Sequence, residues 1–518
     1  MKKRRAIHPY LFALFPVISL YAHNIDQVPV RSALVAMAGS LIMAAVVFNL
    51  LKSVFKDSAK GALASTFILI VFFSYGHIHS FLLDWIAQNY THRADFEVID
   101  QVAECDILVH VFLVTAFLLV GHTLIVRVLR RRPIGSESTR VLNVVSVVLI
   151  TFPLVTISSY GLKVGMSPRP KNEEVRADAI QPVAKKRDIY FIILDGYGRE
   201  DILHEFYGFD NSEFINNLEK RGFYVVEKSC ANYAWTFLSL ASSLHLDYVN
   251  YLAGALGETS TDLRIPYEMI KDSRVVKFLR DRGYVFVHFN STWGATLNNK
   301  YADKEIDYRR GLFRDEFLRI LVQSTMLKMM DPLIVMNLAG VHLNSFSALE
   351  TIPEIEEPTF SFFHSILPHH PYIFDRFGNV RSQATMWNQF RRGMWKDGDA
   401  YIEQLVFVNT KIMAAVDRIL ENSDVAPIIV IQSDHGPLLD GVSEDDYIRA
   451  RMCCLNACYL PNGGDRLLYD SVSPVNTFRI IFNSYFHTNQ PLLEDRCYFS
   501  RFVQPYGFVE VTEEIKKD

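Results

Sequence analysis

The chain has 518 residues, half of them hydrophobic, and a formal net charge of −4. A chain of this length can bury a sizeable core and form more than one domain. A near-neutral net charge excludes a nucleic-acid partner held by bulk electrostatics. The apolar residues are concentrated in the first third, which predicts two parts of different character.

The first third contains five apolar stretches, most of which approach the roughly 20 residues needed to span a bilayer. They are Ile7–Ala22, Ala33–Leu51, Ala62–Leu83, Ile107–Val126 and Val141–Leu162. The first stretch is short, and Pro9 and Pro16 interrupt it. A cleaved signal peptide is the alternative there, but no small-x-small cleavage site follows it and four more stretches do. We therefore expect a bundle of five transmembrane helices.

The charges of the connecting loops predict how the five spans are oriented. Basic residues cluster before the first span, between the second and third, and between the fourth and fifth. They are Lys2, Lys3, Arg4, Arg5, Lys52, Lys56, Lys60, Arg127, Arg130, Arg131, Arg132 and Arg140. Positive charge marks the cytoplasmic side of a membrane. Five spans place all three basic loops on that side, so the rest of the chain is expected outside the cytoplasm.

A polar segment separates the membrane third from the remainder. Ser167–Lys186 is rich in Pro, Lys, Glu and Arg and has no apolar periodicity, as is typical of a linker. The predicted division is therefore a transmembrane domain over residues 1–163, a linker over 164–187 and an extracytoplasmic domain over 188–518.

Strand and helix candidates alternate in the extracytoplasmic part. The strand candidates are Ile189–Leu194, Tyr224–Val226, Tyr284–Phe289, Thr359–Ile366 and Pro427–Gln432. The helical stretches are Asn211–Arg221, Thr236–Leu246, Asp272–Arg282 and Asp399–Glu421. This alternation predicts an α/β domain with a mostly parallel central sheet and helices on both faces.

The stretch Gly311–Leu349 departs from this alternation. It contains two apolar-rich helical segments, near Phe317–Met330 and Ile334–Phe346. An ordinary helical insertion is the favoured interpretation, and a helix that lies against the membrane surface is the alternative.

Two strand candidates end in carboxylates. Asp195 follows Ile189–Leu194, and the pair Asp434 and His435 follows the strand that ends at Gln432. Ligands of open α/β sheets bind just beyond the carboxyl ends of the strands. An Asp-His pair at such a place is a good fragment of a metal site.

Hydroxyl and imidazole groups complete the set of reactive residues. Thr236 lies where a helix is predicted to begin, so its hydroxyl is either a helix cap or a nucleophile in the positive end of the helix dipole. The same position favours an anionic phosphoryl group. A further strand candidate leads into His364, His369 and His370, which suit a metal ligand, a phosphate contact or a general acid.

The order of these motifs resembles that of the alkaline phosphatase and sulfatase superfamily. The segment LDGYG is followed by T-x-x-S on a helix, by a PHxPY-type motif and by SDHG. With five predicted spans ahead of them, the chain is similar to the membrane-anchored branch, which includes lipoteichoic acid synthases and lipid A phosphoethanolamine transferases. The resemblance covers nearly the whole chain. It implies an alkaline-phosphatase-like domain in the periplasm, anchored in a bacterial inner membrane.

The resemblance also implies roles for individual residues. Thr236 matches the threonine nucleophile, which also contacts the metal. Asp195, Asp434 and His435 match metal ligands, although the lipoteichoic acid and phosphoethanolamine enzymes have a glutamate at the position of Asp195. His369 matches a catalytic histidine near the substrate phosphate. The roles of His364 and His370 stay open.

Two departures from the superfamily pattern refine these expectations. The Cys/Ser-x-Pro-x-Arg motif of true sulfatases is absent at Thr236, so phosphoryl chemistry is favoured over sulfate-ester hydrolysis. No histidine closely follows SDHG, and the next one is His487. The full ligand set of a two-zinc phosphatase is therefore missing, and we expect one divalent ion, zinc or manganese.

The favoured function is a transferase that acts through a phosphothreonine-type intermediate. It would move a phospho-alcohol group from a membrane phospholipid donor to an envelope glycan or lipid acceptor. The alternatives are a membrane-anchored phosphatase, phosphodiesterase or sulfatase-like hydrolase, and a non-catalytic envelope scaffold.

Six cysteines fall outside the predicted cytoplasmic loops, namely Cys105, Cys230, Cys453, Cys454, Cys458 and Cys497. This distribution is compatible with disulfide bonds in an oxidising compartment. Cys454 could pair with Cys458 or with Cys497, and the sequence leaves the pairing open. The spacing of Cys453, Cys454 and Cys458 does not match a zinc site.

Overall fold

The computed structural model describes residues 5–25, 28, 30–90, 98–124, 136–166, 186–309, 315–381 and 398–515. The chain divides into two compact units. The described residues of the first unit lie within Met1–Ser167 and Arg310–Val335, and those of the second lie within Pro168–Arg309, Met336–Ser382 and Arg392–Asp518. Of the predicted linker over 164–187, residues 164–166 belong to a helix and Lys186 and Arg187 are also described. The rest lies outside the described residues, so the predicted boundaries stay predictions.

The first unit begins with five helices among the described residues. They are α1 (His8–His23), α2 (Val30–Phe55), α3 (Ser58–Tyr90), α4 (Val98–Thr123) and α5 (Ser136–Met166). By length and composition, α2, α3 and α5 each contain a segment that can cross a membrane, and α4 contains a shorter apolar segment, Leu108–Thr123. The chain is therefore a multi-pass membrane protein. Within the described residues a helix occupies each of the five predicted spans, as far as Thr123 in the fourth. Five crossings remain the prediction.

Most of the basic residues behind the predicted orientation lie outside the described part of the chain. These are Lys2, Lys3, Arg4, Arg127, Arg130, Arg131 and Arg132. The orientation therefore depends on the positions of these residues in the sequence relative to the five helices.

A helix from the middle of the chain belongs to the first unit. It is α12 (Glu316–Ser324), and its Phe317 and Leu321 are buried in one apolar cluster. The other buried members of this cluster are Ala13, Val17, Tyr21, Ala33, Ala36, Ala44, Leu69 and Phe73. Gly76 on α3 permits the close approach, because a Cβ there would lie 2.2 Å from the carbonyl oxygen of Gln323. The α12 part of the stretch Gly311–Leu349 therefore packs with the helices of the first unit, and a helix against the membrane surface stays a prediction.

The second unit is built on a seven-stranded sheet. Its strands are β1 (Ile189–Leu194), β2 (Tyr224–Val225), β3 (Val285–Phe289), β4 (Lys304–Ile306), β5 (Thr359–Ser365), β6 (Ile428–Gln432) and β7 (Asn456–Tyr459). Their order is β2-β7-β6-β1-β5-β3-β4. The pairings from β6 across to β4 are parallel, and β7 pairs antiparallel with β6 and β2. The predicted mostly parallel sheet is confirmed.

Helices flank this sheet in the described part of the unit. They are α6 (Glu200–Tyr207), α7 (Ser212–Lys220), α8 (Thr236–His245), α9 (Tyr251–Leu256), α10 (Arg264–Lys271), α11 (Arg274–Arg280), α13 (Asp331–Leu349, which begins in the first unit), α14 (Gly398–Asn422), α15 (Glu444–Met452), α16 (Pro474–Phe486) and α17 (Thr512–Ile515). A small antiparallel pair, β8 (Tyr498–Arg501) and β9 (Gln504–Glu510), follows α16. The main core lies where α8, α10, α11 and α16 pack, with Phe191 of β1 against Phe478 of α16 at a ring distance of 5.0 Å.

The central position of β1 determines where polar groups gather. All six side chains of β1 are buried, as its uninterrupted apolar sequence predicts. It lies between β5 and β6, with Leu194 opposite Ser365 and Ile193 opposite Gln432. The residues at the carboxyl ends of these three parallel strands therefore lie next to one another.

Candidate active site

Two carboxylates and one imidazole meet at the carboxyl ends of the three central strands. Asp195 is the first residue after β1, Asp434 is the second residue after β6, and His364 is the penultimate residue of β5. One ligand atom from each lies within 4.8 Å of the others, and all three residues are buried. The carboxylate and imidazole groups of this site are the kinds of group that bind zinc and similar divalent ions.

The polar atoms of this group need a partner. Asp195 Oδ1, Asp434 Oδ2 and His364 Nε2 are buried and have no hydrogen-bond partner among the described residues. Each such atom costs about 1–3 kcal/mol if nothing replaces the water it has lost. A divalent cation would accept lone pairs from all three, so these residues fit a metal ion.

His435 joins the same group through its Nε2 atom. Its Nδ1 donates to the carbonyl oxygen of Gly436 at 3.0 Å, which leaves Nε2 as the unprotonated nitrogen of the neutral ring. Nε2 lies 3.2 Å from Asp434 Oδ2 and 3.6 Å from Asp195 Oδ1. The hydrogen bond to the backbone thus directs a lone pair toward the carboxylates, as neighbours of metal-bound histidines commonly do.

Thr236 lies beside this group. It is the first residue of α8, after Trp235 in extended conformation. Its Oγ1 is 3.0 Å from His435 Nε2, to which the hydroxyl donates, and it is close enough to the Asp434 carboxylate to lower the pKa of that group. The structure therefore brings Thr236 together with Asp195, Asp434 and His435. The hydroxyl also lies at the positive end of a ten-residue helix.

His369 lies at the edge of the same site. Its backbone N–H donates to the carbonyl oxygen of Asp195 at 3.0 Å, and its ring lies 6.4 Å from that of His435. Its Nδ1 donates to the carbonyl oxygen of His370 at 2.6 Å. Nε2 is thus the nitrogen of His369 that can accept a proton.

A buried glutamine supports the loop that carries His369. Gln404, on α14, accepts hydrogen bonds from the backbone N–H groups of Ile373 and Phe374 at 2.7 and 3.2 Å. It donates to the carbonyl oxygens of Pro368 and His369 at 3.1 and 3.0 Å. One side chain therefore pairs backbone groups on both sides of the histidine.

Replacing Gln404 by leucine is expected to lower turnover about tenfold without removing the metal. The change leaves buried backbone groups of the His369 loop unpaired, at a cost of about 2–4 kcal/mol. Activity, metal content and melting temperature would be measured on the same preparation. Thr410→Val, at an exposed position of α14, is the matched control. Wild-type turnover in Gln404→Leu would show that this hydrogen-bond network does not position His369 for the reaction.

Burial leaves the metal-free site short of positive charge. It raises the pKa of Asp195 to about 7, and burial together with the charge of Asp195 raises the pKa of Asp434 to about 7. Burial also lowers the pKa of His364 to about 4, so this imidazole is neutral at physiological pH. Two carboxylates that resist ionisation beside neutral imidazoles form a site that favours a cation.

Arg451 supplies a positive charge that the sequence analysis missed. It is fully buried on α15, where Nε donates to the carbonyl oxygen of Ala234 at 2.7 Å and Nη1 to that of Gly436 at 3.0 Å. Burial lowers its pKa to about 10, which keeps it charged at neutral pH close to both aspartates. Gly436 permits this approach, because a Cβ there would lie 2.0 Å from the carbonyl oxygen of Ala450.

His364 also belongs to the site, although the sequence analysis left its role open. It is one of the polar side chains in the fully buried strand β5, and this burial is the signal that could have marked it. Its Nδ1 is hydrogen-bonded to Thr296 Oγ1 at 2.7 Å, which directs Nε2 toward Asp195. Arg451 had no comparable signal, because it belongs to a polar helix whose place in the fold the sequence does not reveal.

No protein-family model and no curated protein matches the chain. Among solved structures, it is similar to the integral membrane protein lipooligosaccharide phosphoethanolamine transferase A (EptA) from Neisseria meningitidis, at 12% identity and a TM-score of 0.41 over 92% of this chain and 95% of that one. It is also similar to the C-terminal periplasmic domain of EcEptC from Escherichia coli, at 11% identity and a TM-score of 0.40 over 64% of this chain and 96% of that one. Likenesses this distant assign no activity to the chain.

Proposed function

We propose that the chain is a metal-dependent membrane transferase of the alkaline phosphatase and sulfatase superfamily. It moves a phospho-alcohol group, such as phosphoethanolamine or phosphoglycerol, from a phospholipid to an envelope glycan or lipid. The observation that carries this proposal is the Thr236 hydroxyl at the start of α8, 3.0 Å from His435 Nε2 and beside the carboxylates. The motif order in the sequence supports the same assignment.

Thr236 is the nucleophile in this proposal. Its Oγ1 attacks the phosphorus of the donor lipid and its proton passes to the neighbouring Asp434 carboxylate. Asp434 gives this proton to the diacylglycerol oxygen as the bond from phosphorus to that oxygen breaks, so diacylglycerol leaves as the neutral alcohol. The phospho-alcohol group is then held on Oγ1. The acceptor hydroxyl attacks the same phosphorus and its proton passes to His369 Nε2. The bond from phosphorus to Oγ1 breaks, and the proton is returned from His369 to Oγ1, which restores both Thr236 and His369.

Asp195, His364, Asp434 and His435 are the residues that would hold the metal ion. Zinc and manganese both suit carboxylate and imidazole ligands. When bound, the ion supplies positive charge that lowers the pKa of the threonine hydroxyl and neutralises phosphoryl oxygens. The buried Arg451 adds a second, permanent positive charge for an anionic substrate.

The membrane helices anchor the chain in the bilayer that contains the proposed donor. A phospholipid is available only in the plane of the bilayer, and α2, α3 and α5 have segments long and apolar enough to lie there. The positions of the basic residues in the sequence place the catalytic domain on the extracytoplasmic side, which is the periplasm of a bacterial inner membrane.

The test uses the purified full chain with phosphatidylethanolamine or phosphatidylglycerol labelled in the headgroup. A transferase releases diacylglycerol and leaves the label on the acceptor or, without acceptor, on the protein. A hydrolase releases free phosphate or free phospho-alcohol at the same rate as diacylglycerol, and that outcome would contradict the transferase. Intact lipid with no metal in the protein would instead favour a non-catalytic scaffold.

The metal-free protein is expected to lose stability as the pH rises from about 4 to about 7. Asp195 and Asp434 each have a folded-state pKa of about 7 because of burial, whereas an unfolded aspartate releases its proton near pH 4. The folded state therefore holds more protons in this window, and raising the pH favours unfolding. Zinc displaces these protons, so it should raise the melting temperature more at about pH 7.5 than at about pH 5.5.

Thermal unfolding of chelator-treated protein, with and without added zinc, measures both effects. Magnesium, which prefers oxygen ligands and retains its waters, is the control ion. A zinc-induced shift that is equal at the two pH values would rule out proton release from this carboxylate pair.

A further inference from the structure

Three cysteines of the second unit lie together outside the active site. Cys230 precedes α8, Cys453 follows α15, and Cys497 precedes β8. The sulfur atoms of Cys230 and Cys453 are 3.5 Å apart, and the Cys230 thiol also interacts with that of Cys497. All three residues belong to one apolar cluster and are present as thiols.

The backbone holds Cys230 and Cys453 directly opposite each other. The two residues form an isolated antiparallel bridge. Hydrogen bonds flank it on both sides, from Ala231 N to Met452 O at 2.7 Å and from Cys454 N to Ser229 O at 3.4 Å. This pattern defines a non-hydrogen-bonded pair, in which the Cα atoms are typically about 4.5 Å apart. That separation lies within the range that a disulfide bond spans.

The surroundings distinguish the two thiols chemically. Cys230 is partly exposed, whereas Cys453 is fully buried. Nη1 of Arg199 donates to the sulfur of Cys230 at 3.5 Å. The hydrogen bond with Cys453 and the Arg199 guanidinium lower the pKa of Cys230, but the hydrogen bond with Cys497 and burial raise it well above its ordinary value. The greater exposure of Cys230 is therefore what makes it the thiol that an external reagent reaches.

We propose that Cys230 and Cys453 form a disulfide bond in the exported protein, with Cys230 as the attacking thiol. The oxidant is a protein or peptide disulfide. The Cys230 thiolate attacks one sulfur of that disulfide, forms a mixed disulfide and releases one thiol. The Cys453 thiolate then attacks the Cys230 sulfur and releases the second thiol. The two cysteines lose two protons and two electrons, and the oxidant is reduced to two thiols.

The bond would link two segments that build the active site. Cys230 lies six residues before Thr236, and Cys453 lies two residues after Arg451. Arg451 already donates to the carbonyl oxygen of Ala234 between these positions. A covalent link at their ends would therefore hold the start of α8 against the segment that carries the buried guanidinium.

The other pairings considered from the sequence lack such geometry. Cys454 Sγ contacts the carbonyl oxygen of Ser433 at 3.6 Å, and Cys458 Sγ contacts Asn456 Oδ1 at 3.7 Å. Cys458 belongs to β7, whereas Cys454 lies before that strand in a bridge with Gly198, and the described residues show no contact between the two sulfur atoms. The structure gives no contact between Cys454 and Cys497 within the described residues.

The test maps the thiols of the full chain purified from membranes. Free thiols are alkylated during lysis, and peptides are analysed by mass spectrometry without reduction. We expect a linked pair of peptides that contain Cys230 and Cys453, lighter by two hydrogens than the sum of the two, with Cys454, Cys458 and Cys497 alkylated. Alkylation of both Cys230 and Cys453, or a link from Cys230 to Cys497, would overturn the proposal.

Two cysteine variants distinguish a bond between Cys230 and Cys453 from one that involves the neighbouring Cys497. Cys497→Ser should keep the linked peptides, whereas Cys453→Ser should lose them and lower the apparent melting temperature by about 5–10 °C. The proposal rests on the extracytoplasmic placement of the domain. If the bond formed only after glutathione disulfide was added to the purified protein, the proposal that it forms in the exported protein would be contradicted. The labelled-lipid assay decides the transferase activity independently.

Discussion

Replacement of Thr236 by alanine is expected to lower transfer by at least about 10³-fold while leaving the fold and the bound metal in place. The change removes the hydroxyl together with one methyl group, and the lost Oγ1 lies 3.0 Å from His435 Nε2 at the start of α8. The backbone of α8 does not need it, because the N-cap residue is Trp235. The rate of headgroup transfer from labelled phospholipid measures the loss.

Two variants of α8 control this experiment. Thr236→Ser retains a hydroxyl at the same position and is expected to restore measurable transfer. Ser239→Ala removes a buried hydroxyl one turn later on the same helix and should leave the rate close to that of the wild type. If Thr236→Ala transferred the headgroup as fast as Ser239→Ala, a threonine nucleophile would be ruled out.

Asp434→Asn is expected to lower the bound metal at least about tenfold, and transfer with it. Asparagine has the same shape as aspartate. Its Oδ1 can still accept the hydrogen bond that the backbone N–H of Gly196 donates to Asp434 Oδ1, at 3.3 Å in the wild type. Asparagine has no negative charge, and an uncharged NH2 group replaces Oδ2. In the wild type, Oδ2 has no hydrogen-bond partner within the described residues and is the oxygen available to a metal ion. Elemental analysis of the purified protein measures this loss directly.

The same variant should not destabilise the metal-free protein. Burial and the neighbouring Asp195 charge raise the pKa of Asp434 to about 7, so ionising this residue above that pH costs folding free energy. A neutral amide removes that cost, and the metal-free melting temperature at about pH 7.5 should stay the same or rise. Asp417→Asn, which breaks the surface pair with Arg221, is the control and should keep its metal. Full metal occupancy in Asp434→Asn would remove this carboxylate from the ligand set.

Local sequence patterns predicted the structure correctly where the residues of a strand or helix themselves determine how that element is buried. The apolar run of β1 is buried along its whole length, and the carboxylate that follows it lies at the edge of the sheet where ligands bind. The same pattern at β6 placed Asp434 and His435 correctly beyond the strand end. The helix predicted from Thr236 begins at that residue.

Local patterns did not predict strands, buried residues or packing that depend on contacts with distant parts of the chain. β4 and β7 were not predicted, because Lys304–Ile306 and Asn456–Tyr459 are short and their neighbours in the sheet come from remote parts of the chain. Arg451 belongs to a polar helix, and its burial follows only from the close approach at Gly436. The packing of α12 with the membrane helices likewise depends on Gly76, far away in sequence.

The mass of the Thr236 peptide after reaction tests the mechanism most directly. The full chain would be incubated with phosphatidylethanolamine in the absence of acceptor, quenched in acid and digested. We predict a phosphoethanolamine adduct on Thr236 with an equal amount of released diacylglycerol, and a phosphoglycerol adduct when phosphatidylglycerol is the donor instead. Diacylglycerol release from either lipid with Thr236 unmodified throughout the time course would contradict a covalent threonine mechanism.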